Sequence, residues 1–318
     1  MNEKLSKSDK IILSNIEWNA RITNKELAKL CNLSKDGVKY RIKRLENKKI
    51  ITKYKAIIDN KKLGQESYKI YLKIQTTRTN MERIKTYLAT KKEVFAYFES
   101  RGNWNLGIAY FAKNSKEYYK LENELQNKFG EYIIEKKLCQ MVEATIQTNK
   151  AINEEMKFKE YKLWDKIENK QLDETKKIIL KEINKNPKIT LHELCAKTNK
   201  SIETIMRKKK ELEEEKIIAL YSTTINYQKI GIEIYKIFIY VKKFNQEVDN
   251  KLTNYFKELN QTRDIIKTIG PWKLEIELAI KNHEEYEQII EELLEQFENN
   301  IQNIEYSIFR NETFHPKE

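Results

Sequence analysis

Histidine, proline and glycine are scarce in this chain: 3 His, 3 Pro and 7 Gly among 318 residues. So few glycines leave little room for loops that cradle phosphate, and neither G-x-x-x-x-G-K-[ST] nor G-x-G-x-x-G occurs, which turns against nucleotide-dependent enzymes. The histidines are His192, His283 and His315, with no two at metal-ligand spacing; we expect no metal, no cofactor and no catalytic residue. Cys31, Cys139 and Cys195 are odd in number and far apart. They argue against a disulfide framework or a zinc site and fit a reducing compartment. Long apolar runs are missing too: Ile234 to Val241 is strand-length, far short of the ~18 residues a membrane helix needs. Met1 to Lys10 is too polar for a signal peptide. The expectation is a cytoplasmic protein with no membrane partner.

What is abundant is positive charge. Lys+Arg 61 against Asp+Glu 48 leaves a formal +13, the sign expected of a polyanion binder. Lys, Asn and Ile also crowd every row, as in products of A/T-rich genes, so the placement of the charges has to decide.

The chain is a tandem repeat. At an offset of 167, Leu13 meets Leu180, Asn19 meets Asn186, Ser34 meets Ser201, Leu45 meets Leu212 and Gly64 meets Gly231. Past one inserted residue the offset is 168, pairing Gly102 with Gly270, Trp104 with Trp272 and Phe129 with Phe297. Two copies holding one register over this length indicate duplication. Each copy opens with helical periodicity. Ile12, Leu13 and Ile16 make one stripe, Thr23 to Glu26 reads as a capping box, and Ser34 caps a third helix whose Val38, Ile42 and Leu45 face inward. That is a helix-turn-helix, followed over Ile50 to Ile58 by an extended wing or hinge strand. The remainder alternates as βαββαβ, an α+β, ferredoxin-like sandwich. The predicted domains are a winged helix-turn-helix over 1–60, a ferredoxin-like domain over 61–146, a polar linker over 147–171 that partly docks through Met156, Phe158 and Trp164, a second winged helix-turn-helix over 172–227 and a second ferredoxin-like domain over 228–318.

Leu5-x3-Asp9-x3-Leu13, Asn19-Ala20-Arg21, Glu26-Leu27-Ala28, Leu33-Ser34, Val38-x2-Arg41-Ile42-x2-Leu45-Glu46 and Leu63-Gly64 together resemble the Lrp/AsnC (leucine-responsive/asparagine-synthase) regulators. The resemblance spans both copies and implies a sequence-specific transcription regulator with DNA-binding and ligand-sensing, dimerising domains. Departures from the family pattern are Lys49 and Lys216 where a glycine usually precedes the wing, and Lys176, Lys208 and Lys209 where copy one has Asp9, Arg41 and Ile42.

From Lys35 to Lys55 there are nine positive and two negative residues. With Ser34 at the helix start, Lys35, Asp36, Lys39 and Tyr40 are expected at base edges, and Lys43, Arg44, Lys49 and Lys53 on the phosphate backbone of double-stranded DNA. Arg41 either joins them or braces the fold. In copy two, six cations face five glutamates between Lys200 and Lys216, and Ile202 and Met206 stand where copy one has Lys35 and Lys39. Weaker contact is expected there, from Ser201, Thr204, Arg207, Lys208, Lys209 and Lys210, so copy one should dominate. The resemblance further implies an amino-acid-like effector near Gly102 and Trp104 and near Gly270 and Trp272, self-association through the sensor domains, and an intrachain pseudo-dimer. Both tryptophans also suit packing or interface anchors. Two other readings stand beside the regulator: a non-specific, chromatin-like architectural protein, and an enzyme resembling the fused sirohaem decarboxylases.

Overall fold

The computed structural model describes residues 3–314, which fall into two compact units. The division follows domain type, not chain half. One unit gathers the segment through Asp59 with Thr148–Tyr161 and Lys170–Glu233; the other holds Asn60–Gln147, Lys162–Asn169 and the segment from Ile234 onward. The stretch expected as a linker is thus shared and holds a short strand, β6 (Glu160–Leu163), with Ile152, Met156 and Leu163 buried and Phe158 exposed.

In the first unit, copy one contributes α1 (Lys7–Trp18), α2 (Asn24–Cys31), α3 (Lys35–Asn47) and β1 (Ile51–Ile58). The turn between α2 and α3 uses Asn32 at φ 52°, a conformation asparagine tolerates better than most residues. Ile12, Leu13, Ile16, Leu27, Val38 and Leu45 close the core between the helices, and truncating one such leucine to alanine costs about 2–5 kcal/mol. Copy two repeats the set, with α6 (Glu174–Lys185), α7 (Leu191–Thr198), α8 (Ile202–Glu214) and β7 (Ile218–Ile225).

The strand after each recognition helix is a hinge between copies. β1 pairs antiparallel with β7, Tyr54 opposite Thr223. Reciprocal backbone bonds tie the copies further: Asp59 N donates to Ile217 O at 2.9 Å and Asn226 N to Ile50 O at 2.8 Å. The Arg21 guanidinium lies 4.2 Å over the Tyr221 ring, and its counterpart Lys188 lies 3.2 Å over Tyr54.

The second unit is built from β2 (Glu66–Ile74), α4 (Arg78–Ala89), β3 (Val94–Gly102), β4 (Leu106–Ala112), α5 (Ser115–Phe129) and β5 (Ile133–Gln147). Its second half is β8 (Glu233–Val241), α9 (Gln246–Glu258), β9 (Thr262–Ile269), β10 (Leu274–Ile280), α10 (His283–Phe297) and β11 (Ile301–Phe314). Strand order runs β2-β4-β3-β11-β8-β10-β9-β5, and β5 pairs β2 again, closing the sheet. The junctions are β11 with β3 and β5 with β9, so the last strand of each half finishes the other half's sheet. Tyr68, Ile70, Leu72 and Ile74 pack with Ile84, Leu88, Leu125 and Phe129; Tyr235, Ile237 and Ile239 pack with Leu252, Phe256 and Leu293. The alternate residues of β2, β8 and β10 point the other way, where the two halves meet.

Candidate nucleic-acid interface

Ser34 fixes the start of α3: its hydroxyl accepts from Gly37 N at 3.0 Å, satisfying an amide that would otherwise lack a partner. Lys35, Asp36, Lys39, Tyr40 and Lys43 all lie exposed. Tyr40, 69% exposed, is an aromatic ring that the helix core does not use. Lys43 has only a loose neighbour, Glu46 at 4.0 Å. Arg41 and Arg44 differ. Arg41 Nη1 donates to Asp9 Oδ1 at 3.1 Å and Ser6 Oγ at 2.9 Å, and Arg44 Nη2 donates to Asp9 Oδ2 at 2.6 Å. Burial works to raise the Asp9 carboxyl, but the Ser6 hydroxyl and amide and the two arginines outweigh it and hold its pKa below the usual range. Both arginines therefore brace α3 against α1, and the role expected of Arg44 competes with that bridge. Lys49 is exposed at φ 57°. Lys53 is half-buried on β1, where burial and Lys55 depress its pKa.

Copy two inverts one limb of this bridge, the Asp9–Arg44 pair, while Lys208, at the position of Arg41, stays a cation. Lys176, at the position of Asp9, reaches Glu211 and Glu215 at 3.0 Å each, and those two replace Arg44 and Lys48. Burial opposes the Lys176 charge, yet the two glutamates outweigh it and raise its pKa. The cations that α8 retains are paired at home: Arg207 with Glu211 at 2.5 Å, Lys208 with Asp173 at 2.6 Å, Lys209 with Glu213 at 2.5 Å and Lys210 with Glu214 at 3.5 Å. Ser201 caps α8 by accepting from Thr204 N at 3.3 Å, which commits both residues to the helix start. Ile202 is partly buried, and Met206, 53% exposed, stands on the same face one turn on.

At the loops where the resemblance implies an effector, both tryptophans are packing anchors. Trp104 and Trp272 are buried, at 1% and 0% exposure, and their indole N–H groups donate to Glu305 at 3.0 Å and Glu275 at 3.1 Å. Gly102 and Gly270 are needed because a strand of the other half crosses them: a β-carbon at Gly102 would lie 2.5 Å from Tyr306 O, and one at Gly270 2.8 Å from Leu138 O. Sequence reasoning missed the polar cluster beneath these loops. Glu275 accepts from Lys69 at 2.8 Å, from Tyr71 Oη at 2.7 Å and from Lys236 at 3.4 Å, and Lys236 also meets Glu277 at 2.8 Å. Burial pushes Lys69 down. For Lys236 it is outweighed by the glutamates, which hold the ammonium above its usual range. Burial also opposes ionised Glu275, but Lys69 and Lys236 outweigh it and bring its pKa down to about 2. Lys69 and Lys236 are repeat equivalents, whereas Glu275 corresponds to Gly107, where a β-carbon would meet the Phe98 ring at 2.0 Å. Lys137 and Glu305 are also equivalents, bonded at 2.9 Å. Repeat alignment could have exposed these complementary differences.

Of the histidines, His192 is exposed on α7, and His283 opens α10, 3.2 Å from both the Tyr235 hydroxyl and Glu287. His315 lies outside the described residues. Among the described residues, no cluster of His, Cys, Asp or Glu could hold a metal, and no helix is long and apolar enough to cross a membrane.

A family of winged helix-turn-helix DNA-binding domains matches residues 5–52 and again 172–219, α1 to β1 and its repeat. The chain is similar to the HTH-type transcriptional regulator FL11 of Pyrococcus horikoshii, 25% identical over 117 residues that cover 37% of this chain and 77% of that protein. It is also similar to an uncharacterized HTH-type transcriptional regulator of Pyrococcus furiosus, 26% identical over 132 residues, 41% of this chain and 84% of that protein. Among solved structures, that of the siroheme decarboxylase NirDL covers 98% of this chain and 94% of its own, with a TM-score of 0.61 and 13% identity. At that identity the likeness is one of fold.

Proposed function

We propose that this chain, a tandem duplication of the Lrp/AsnC type, is a sequence-specific DNA-binding transcription regulator in which copy one makes the dominant contact. The observation that carries the reading is the contrast between the recognition helices: α3 presents Lys35, Lys39, Tyr40 and Lys43 to solvent, whereas the cations of α8 face glutamates or Asp173 within their own copy. Lys35, Asp36, Lys39 and Tyr40 read base edges; Lys43 and Lys49 hold phosphates; Arg41 and Arg44 set the angle of α3. Arg207, Lys208 and Lys210 reach DNA only by leaving their partners. The two halves stand in for a dimer within one chain, a reading supported by the exchange of β5 and β11. An amino-acid-like effector would need a site other than the buried Trp104 and Trp272.

Lys39→Ala and Tyr40→Ala should each cost about 1–3 kcal/mol on a preferred site and less on a scrambled one, while Lys43→Ala should weaken both alike. Equal losses on both sites for all three variants, measured by fluorescence anisotropy, would favour the architectural reading. Catalysis would need groups titrating near the working pH; in the buried cluster Glu275, Glu277 and Lys236 are driven away from it, and burial moves Lys69 down towards it. Haem-like absorbance in the purified protein would reopen the enzyme reading.

A further inference from the structure

Met206 on α8 has no use in the helix core, and Ile202 is only partly buried. Ile202 sits at the first helical position and Met206 one turn on, while the helix buries Ile205 and Leu212 instead. In copy one the equivalent positions are Lys35 and Lys39. An exposed methionine is not unusual in itself. What singles this one out is its place, on the turns of a DNA-binding motif that enter the major groove, beside cations already held by glutamates. Only one base offers an apolar group there: thymine, through its C5 methyl. The groove-facing surface of α8 is therefore matched to methyl groups, and that of α3 to acceptor-bearing edges and phosphates.

We infer that Ile202 and Met206 read the 5-methyl groups of thymines, so that the operator is two unlike half-sites, the one under α8 specified by thymine. The inference rests on the regulator reading above. Four residues of helix rise by about 6 Å, close to two base steps of ~3.4 Å, so the two side chains suit thymines in adjacent or next-adjacent pairs. Met206 suits the task because its unbranched thioether adapts to the contour it meets.

The test uses the full chain and a randomised duplex library, from which a preferred site is selected. Each thymine of that site is then replaced singly by deoxyuridine, which removes the methyl and keeps every hydrogen-bonding group. One or two replacements, confined to one half-site, should weaken binding about three- to fivefold each, the value of one buried methyl. Met206→Ala should abolish that sensitivity at its thymine, and Ile202→Ala at the other; the exposure of Met206 makes its truncation harmless to folding. If deoxyuridine has no effect at any position, or an equal effect on the wild type and both variants, the inference is overturned although the protein still selects a site. If selection enriches no sequence, the regulator reading fails and takes the inference with it.

Discussion

Glu275→Gln is the sharpest probe of the buried cluster. The carboxylate is fully buried, serves two lysines of which Lys236 is 1% exposed, and accepts further bonds from Tyr71 and Trp272. Glutamine keeps its shape and removes its charge, leaving Lys69 and Lys236 with Glu277 as their nearby counter-charge. A carboxyl pKa brought from 4.5 to about 2 corresponds to about 3 kcal/mol at ~1.36 per unit. Removing one partner of a buried pair by mutation costs about 3–5 kcal/mol. The two figures agree, and the unfolding transition of this unit should fall by about 6–12 °C. Because the folded-state pKa is depressed, the stabilisation is complete above about pH 4.5 and is lost as pH falls towards 2. The gap between wild type and variant should therefore close over that window. Thermal melts of the full chain, followed by near-UV circular dichroism across pH 2.5 to 7, supply both readings. A midpoint unchanged at pH 7, or a gap independent of pH, would refute the account.

Two further outcomes follow from the helical unit. Lys49 and Lys216 each hold φ 57°, a conformation that costs residues with a β-carbon about 1–2 kcal/mol and glycine far less; Lys49→Gly and Lys216→Gly should each raise stability by about 1 kcal/mol in thermal melts, and unchanged melts would contradict the strain. In salt titrations of DNA affinity, Lys43→Ala should lower the log–log slope by ~0.9, the value of one phosphate contact, and Lys210→Ala by clearly less, since Glu214 already faces it. A larger loss for Lys210→Ala at unchanged stability would reverse the assignment of dominance to copy one.

The duplication, the helix-turn-helix and the βαββαβ order were legible because each rests on local signals: serine and threonine caps, 3.6-residue stripes and two-residue alternation. The pairing of β1 with β7 was not, since nothing in Ile51 to Ile58 names a partner more than 160 residues away. The interior of the closed sheet escaped for a related reason. Lys69, Tyr71, Glu275 and Glu277 alternate with core residues as a solvent-facing edge would, and alternation tells which face is apolar without telling what covers the other. The glutamates of α8 were legible as a weakened field. Their second role, holding Lys176, needed α6 and α8 in place.

The inverted bridge has a consequence for the gene as well as for the helix. Tandem repeats invite recombination between copies, and a crossover after the first helix would join α1 to α8, or α6 to α3. One product would set Asp9 against Glu211 and Glu215; the reciprocal product would set Lys176 against Arg44 and Lys48. Like charges at those positions oppose the packing of both chimeric domains, the first less so because Lys208 keeps a cation at the position of Arg41. A swapped first helix would therefore weaken the domain that received it, so the bridge of each half goes together with the DNA-facing side chains that make it different.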